Sequence, residues 1–285
     1  MSGFMNQARE QGADGRYQLL VLFNAFPEID ARRLARVVLS LEPQLQAYDI
    51  VGFEIAHHQS GKRVAMGLAS LGTEQVAIAM HEWPVPQDLA HFTVGSFSRA
   101  RGTKASLARH RCYALCTYVG EARPIERYVA LYKVALGLLE QGAVGIANHQ
   151  TWSAYPAEAV REVLAQPGAW ERLRTHGSPA ELLVGLVRVW VDGELWVVTR
   201  GHYLFRLPEL ATKARGYAEA QELRTVFNKT FSYLFKDGLT GQARQKLEGI
   251  LPARGSAGLR FSTPSREQRF LQAPHGILIM HSREP

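Results

Sequence analysis

Cysteine is nearly absent from this chain. Cys112 and Cys116 are the only two in 285 residues, which excludes the disulfide framework of a small secreted protein and fits a reducing compartment. Long hydrophobic runs are missing as well. No stretch reaches the ~18 consecutive apolar residues of a membrane-spanning helix. The first apolar run, Leu19–Phe23, follows a polar segment, Met1–Arg16, and is too short for a secretory h-region. The expectation is a cytoplasmic protein without membrane insertion.

The usual marks of catalysis are also lacking. Ser60-Gly61-Lys62-Arg63 resembles the end of a phosphate-binding loop, but Ala56 stands where the earlier glycine is required. No glycine triad opens a helix for a dinucleotide, and no Gly-x-Ser-x-Gly elbow occurs. The ten histidines contain no His-Glu-x-x-His, and the neighbours His57 and His58 would fall on opposite faces of a strand. Cys112 and Cys116 lie four residues apart; in a strand their α-carbons are about 13 Å apart, beyond the ~7 Å limit for a disulfide. They read as two small buried hydrophobes. No metal and no cofactor is expected.

What is present describes an ordinary folded chain, with 46% hydrophobic and 21% charged residues. That length holds one large core or two smaller ones. The skewed quantity is charge: 33 Lys and Arg against 26 Asp and Glu give +7. The denser basic groups, Arg99, Arg101, Lys104, Arg109, Arg111 and then Lys213, Arg215, carry few interleaved aromatic residues to stack on bases. A nucleic-acid partner is therefore disfavoured against a solvated basic surface that aids solubility or meets an acidic partner.

Hydrophobic periodicity supplies the elements. Tyr17–Phe23 reads as a strand buried on both faces. Asp30 is an N-cap, Ile29 and Leu34 have staple spacing, and Leu34, Val37, Val38 and Leu41 form the stripe of a helix closed by Pro43. Strands follow at Asp49–His57, Arg63–Ser70 and Gln75–Glu82. Trp83–Pro86 then leaves the sheet, and Gln87–Ala108 is irregular with a short helix at Gln87–His91.

The middle of the chain reads strand His110–Val119, helix Pro124–Gln141, strand Ala143–His149. Pro124 suits the first helical turn and Gly142 the C′ position. Ile125, Tyr128, Val129, Tyr132, Leu136 and Leu139 line one face while Leu131, Val134 and Leu138 line the other, so this helix is expected at the centre of the molecule. A crossover of this length sets its two strands parallel. Tyr155–Leu173 is helical with a break at Pro167-Gly168, and Thr175–Pro179 is a loop.

Asp192-Gly193 makes a two-residue hairpin turn between Leu186–Val191 and Glu194–Thr199, setting Val189 against Trp196 and Trp190 against Leu195, with both faces covered. A helix over Glu219–Phe235 ends at Asp237-Gly238. Leu259–Ser262 and Gly276–His281 read as further strands.

The fold class is therefore α+β, with a mostly antiparallel or mixed sheet, a central β-α-β crossover and helices packed on the sheet, an arrangement open to two ferredoxin-like halves. Residues 1–16 form an N-terminal segment, 17–174 an α/β unit and 180–285 an α+β unit that shares one sheet with the first or has its own.

Three polar groups are candidate sites. Glu54 and His81 would meet as an acid–base pair if their strands are neighbours, and otherwise face solvent or a structural hydrogen bond. Asn148, His149, Trp152 and Tyr155 lie beyond the last strand of the crossover, where open sheets bind ligands. Arg200 and His202, after the hairpin, would meet an anion unless they belong to a plain turn, which is the favoured reading.

Pro124-Ile-Glu-Arg-Tyr128, continuing through Leu131, Lys133-Val134 and Leu138-Leu139 to Gly142–Ile146 and Pro156, resembles the central block of a bacterial family known as domain of unknown function 4261. Trp196–Leu210, with its Thr-x-Gly turn leading to Phe205 and Pro208-Glu209-Leu210, is similar to that family's C-terminal block. Asp237–Gly241 resembles a further Asp-Gly turn. Arg206 departs from the pattern, standing where a small residue is expected. The resemblance spans about His110–Gly241 and rests on turns and apolar stripes. It brings no catalytic residue, because the family has no established activity. The reading is a non-catalytic binding or interaction protein, of the immunity or adaptor kind. The alternatives are a small-molecule hydrolase or transferase without a standard motif, and a nucleic-acid binder acting through a basic surface.

Overall fold

The computed structural model describes residues 17–41, 48–58, 60–86, 93–94, 107–238, 259–265, 268 and 271–282. The helix expected at Gln87–His91 lies outside these residues. The fold is α+β, and the chain divides into two compact units, one ending at Trp170 and one starting at Glu171.

The first unit is built on an eight-stranded sheet. Its strands are β1 (Gln18–Phe23), β2 (Tyr48–His57), β3 (Arg63–Leu71), β4 (Glu74–His81), β5 (Thr93–Val94), β6 (Cys112–Val119), β7 (Gly145–Asn148) and β8 (Ser153–Pro156), in the spatial order β2-β3-β4-β6-β1-β7-β8-β5. All pairings are antiparallel except the short β5, which runs parallel to β8.

β1 is central because its residues are almost uniformly apolar, and Leu19, Val21 and Leu22 are fully buried. β6 and β7 flank β1 on either side, both antiparallel to it. The two strands of the crossover are therefore parallel to each other, as expected, with β1 inserted between them.

α1 (Ala31–Leu41) starts where Asp30 Oδ1 accepts the backbone N–H of Arg33 at 3.0 Å. This is an N-cap satisfying one of the helix's orphan donors. α2 (Pro124–Leu139) has Pro124 in its first turn and every residue from Tyr128 to Leu139 buried. Fully burying a leucine or valine contributes about 1.5–3 kcal/mol, so Leu131, Val134 and Leu138 make α2 the centre of this unit. The helix ends at Gly142, φ 95°, whose neighbour Ala143 returns its N–H to the Leu138 carbonyl at 3.4 Å.

Gly137 lets α1 come close. A Cβ there would stand 2.1 Å from Leu34 Cδ1. α3 (Ala157–Leu164) follows β8, and α4 (Ala169–His176) comes after the Pro167-Gly168 break. The helical stretch expected from Tyr155 thus begins two residues later. Tyr155 belongs to β8, paired with Ile146, because four residues after Asn148 suffice to turn the chain back into the sheet.

The second unit has a separate five-stranded sheet. β9 (Gly185–Val191), β10 (Glu194–Arg200), β11 (Glu209–Ala214), β12 (Leu259–Ser262) and β13 (Ile277–Ser282) lie in the order β12-β13-β11-β10-β9. The hairpin register is as expected, Val189 opposite Trp196 and Trp190 opposite Leu195. Asp192 (φ 50°) and Gly193 (φ 79°) form its turn, the primed type whose twist matches the strands.

The expected covering of both hairpin faces holds for β10 only. β9 is an edge strand, and its Trp190 stays 49% exposed. α5 (Tyr217–Asp237) buries Phe227, Thr230, Phe231 and Leu234, and Trp196 packs with Leu271, Ile277 and Ile279. Neither sheet has the four-stranded βαββαβ order of a ferredoxin-like half.

Candidate functional site

Alternation along β3 and β4 sorts their side chains onto two faces. Ala65, Ala69, Val76, Ile78 and Met80 are buried, while Val64, Met66, Leu68, Ala77 and Ala79 between them are not. Register carries the second set across the sheet: Met66 opposes Ala79, Ala79 opposes Leu115, and Leu115 opposes Leu20. At the β1 end this face is closed by a cluster in which Val85 and Leu107 pack on Leu20, Leu22, Tyr113, Ala147 and Ala154. His110 pins that cover, for its Nε2 accepts the Val85 N–H at 2.8 Å and its Nδ1 donates to the Leu107 carbonyl at 2.7 Å. At the β3 end of the same face Met66 is 54% exposed, and Val64 and Leu68 are half-buried.

One end of this face carries aromatic and basic groups. His81 stacks on Tyr113 and tilts against Trp83, each ring 4.7 Å away, and His58 lies 5.5 Å from Trp83. Burial, and then the nearby His58, pushes the His81 imidazole below its ordinary pKa. Its Nδ1 is buried without a hydrogen-bond partner. Arg63 forms a two-pronged pair with Glu82, Nε to Oε2 at 3.1 Å and Nη2 to Oε1 at 2.7 Å, and covers Phe26. Lys62, Arg109 and Arg111 are exposed at the same end, since β3 and β6 both start there.

Glu54 is not brought to His81. β3 lies between β2 and β4; Glu54 opposes Met66 and is exposed, whereas His81 opposes Val64 and Tyr113. The expected acid–base pair is therefore not formed, because strand order put a third strand between two strands that looked adjacent.

The Asn148 group sits at the opposite end of the sheet and holds a turn together. Asn148 Oδ1 accepts the backbone N–H groups of Gln150 (3.0 Å) and Thr151 (3.3 Å), and Nδ2 donates to the Tyr128 hydroxyl at 3.2 Å. Trp152 adopts φ 53° to complete the turn. His149 is half-buried and Tyr155 buried. The ligand crevice expected there belongs to parallel sheets with the strand ends aligned, and β7 runs antiparallel to both of its neighbours.

In the second unit, the chain's own Glu209 is the anion that acts electrostatically on Arg200 and His202. That buried carboxylate accepts from Thr199 Oγ1 at 2.7 Å, the Gly201 N–H at 2.9 Å and the Tyr203 N–H at 3.2 Å. Burial lowers the pKa of the Arg200 guanidinium against the opposing pull of Tyr203 and Glu209. His202 is fully buried against Phe231, 5.0 Å between ring centres. It donates from Nδ1 to the Pro208 carbonyl at 2.8 Å, leaving Nε2 without a partner. Burial drives its pKa down, with Glu209 and the Pro208 carbonyl opposing.

Arg206 has φ 60°. That left-handed conformation is uncommon for a residue other than glycine. Glu209 was not among the expected site residues, although the Pro-Glu-Leu segment contains it.

Cys112 and Cys116 are free and buried, as expected, and burial raises the Cys116 thiol to about 12. Among the described residues no cluster of three His, Cys, Asp or Glu side chains is placed to hold a metal ion, and no helix is long and apolar enough to cross a membrane. No protein-family model matches the chain, and no curated protein or solved structure matches it.

Proposed function

We propose that this protein is a binding protein of the adaptor kind, and that it takes an acidic protein partner on the β3–β4 side of its larger sheet. One observation carries the reading. The solvent side of an antiparallel sheet is ordinarily polar, yet here, beside the exposed Glu54 and Gln75, it carries the exposed Met66 and Val119 and the half-buried Val64, Leu68, Ala77 and Ala79. A contiguous apolar patch on a surface marks an interaction site. Lys62, Arg109 and Arg111 at one end supply a rim that favours negative charge.

Affinity capture tests this with wild type and Met66→Lys side by side at ~0.3 M salt, where exposed charge pairs alone are strongly screened. A stoichiometric acidic protein retained by wild type and lost by the variant supports the reading. Retention of the same partner by both contradicts it.

A further inference from the structure

We infer that His110 is an acid-sensitive latch: its neutral imidazole holds the strap Trp83–Pro86 over the β1 side of the apolar face, and protonation releases the strap and enlarges that face. What the release is for rests on the partner reading above, whereas the latch itself is tested without a partner.

Trp83-Pro84-Val85-Pro86 leaves the sheet after β4. Two of its four residues are prolines, so only Trp83 and Val85 have an N–H to donate. The Val85 N–H goes to His110 Nε2 at 2.8 Å. The other side of the latch is fixed to the sheet. His110 Nδ1 donates to the Leu107 carbonyl at 2.7 Å, and the next residue, Arg111, donates its N–H to the Phe23 carbonyl at 2.9 Å. Val85 and His110 are 7% and 6% exposed, so water has little access to replace either partner.

The position of one proton decides the bond. An imidazole with its hydrogen on Nδ1 has Nε2 as its acceptor, and the Val85 N–H occupies it. A second proton must go to Nε2, where it meets the Val85 N–H donor against donor. The closed strap therefore excludes the imidazolium. Burial is the larger cause that lowers the His110 pKa, with the Leu107 carbonyl opposing it. Among the described residues no charged side chain acts on this ring, and its neighbours Arg109 and Arg111 are exposed. On the strap side, Trp83 packs against His81 and His58. Burial and then His58 lower the His81 pKa, so His81 titrates in the same direction. The nearby Glu82 is paired with Arg63.

The covered residues continue the uncovered ones. Leu20, Leu22, Tyr113, Ala147 and Ala154 lie in one cluster with Val85 and Leu107, and Trp83 packs on its edge. Register joins Leu20 to Leu115, Leu115 to Ala79 and Ala79 to Met66. Releasing the strap thus lengthens one apolar surface instead of opening a second. With the open strap near the ordinary histidine value of ~6.5, closure is complete above that value. It weakens as pH falls from there toward the lower closed-state value, by at most about thirtyfold per histidine at pH 5.

Amide hydrogen exchange of the full chain at pH 8 and pH 5, expressed as protection factors, tests the latch. Val85 is expected to lose about five- to thirtyfold of its protection at pH 5. The Val21 amide, in a strand paired on both sides, loses clearly less, which separates strap release from unfolding of the unit. His110→Gln keeps a neutral acceptor and takes up no proton, so its Val85 response shrinks to within about twofold. His81→Phe keeps a ring against Trp83 and retains most of the response. Nitrogen NMR gives a readout without substitution: the Val85 amide shift titrates with the same midpoint as the His110 ring. Val85 protection equal at both pH values, a fall only in step with Val21, a full response in His110→Gln, or a Val85 shift that titrates apart from His110 would overturn the latch. None of these outcomes depends on whether Met66→Lys loses a partner, so the latch and the partner surface fail separately.

Discussion

Thr199 Oγ1 donates its hydrogen to Glu209 Oε2 at 2.7 Å and itself accepts the Leu210 N–H at 2.7 Å. Both side chains are buried, and Glu209 also holds the Gly201 and Tyr203 amides. Glu209→Ala takes the acceptor from the buried Gly201 N–H, from the half-buried Tyr203 N–H and from the Thr199 hydroxyl, which keeps only the Leu210 carbonyl at 3.5 Å, and each buried donor left unpaired costs about 1–3 kcal/mol. Urea denaturation should show a loss of at least about 3 kcal/mol. Thr199→Val is expected to lose about 2 kcal/mol, and Thr199→Ser to recover most of it. A fully stable Glu209→Ala protein would mean that the carboxylate is not what organises this turn.

Acid should weaken the fold through its buried imidazoles. His81, His110 and His202 all have pKa values lowered by burial as the largest cause. The unfolded chain, with histidine near the ordinary ~6.5, then binds protons that the folded chain refuses. Stability is complete above that value and is lost as pH falls through the depressed folded-state values. Denaturation midpoints should fall from pH 8 toward pH 5, and His202→Phe should flatten part of that slope. A midpoint that rises on acidification would contradict the sign.

Asn148 is expected to matter for folding. Asn148→Ala removes the acceptor of two turn amides and the donor to Tyr128, a loss of about 2 kcal/mol. His149→Ala, at a half-buried position, should cost clearly less. Thermal unfolding of the two variants checks the order, and the reverse order would assign the turn's organisation to His149.

At Gly145 β7 lies close to its surroundings. A Cβ at this position would stand 2.5 Å from the Tyr155 carbonyl oxygen and 2.3 Å from Leu107 Cδ2. A backbone oxygen in a paired strand cannot yield as a side chain can, so Gly145→Ala should destabilise by about 1–3 kcal/mol through overpacking. Gly142→Ala meets no atom within 4 Å but sits at φ 95°, so its cost comes from the backbone alone. Comparing the two melting temperatures separates packing from conformation.

Local patterns in the sequence were enough to define most elements. Asp192-Gly193 determined a turn and with it the pairing of Val189 with Trp196. The all-round apolar helix from Pro124 announced its own central position. What sequence could not supply was strand order. Glu54 and His81 looked adjacent because their strands are close in sequence, and β3 lies between them. The role of Glu209 was hidden for a related reason, since its partners become neighbours only when β10 and β11 pair. Tyr155 opens a stretch whose sequence pattern is helical, whereas its own conformation follows from pairing with Ile146. The exposed apolar face was latent in the alternation of β3. Only the cluster of Val85 and Leu107 over the β1 side shows which part of that face is covered.

The most direct measurement of the proposed binding face is site-specific photocrosslinking in cells, with the crosslinking side chain placed at Met66 or Ala79 and, for comparison, at the exposed Glu158 of α3. The account predicts one discrete adduct with an acidic protein from positions 66 and 79 and none from 158. Adducts from 158 alone, or no protein adduct from either sheet position, would contradict it.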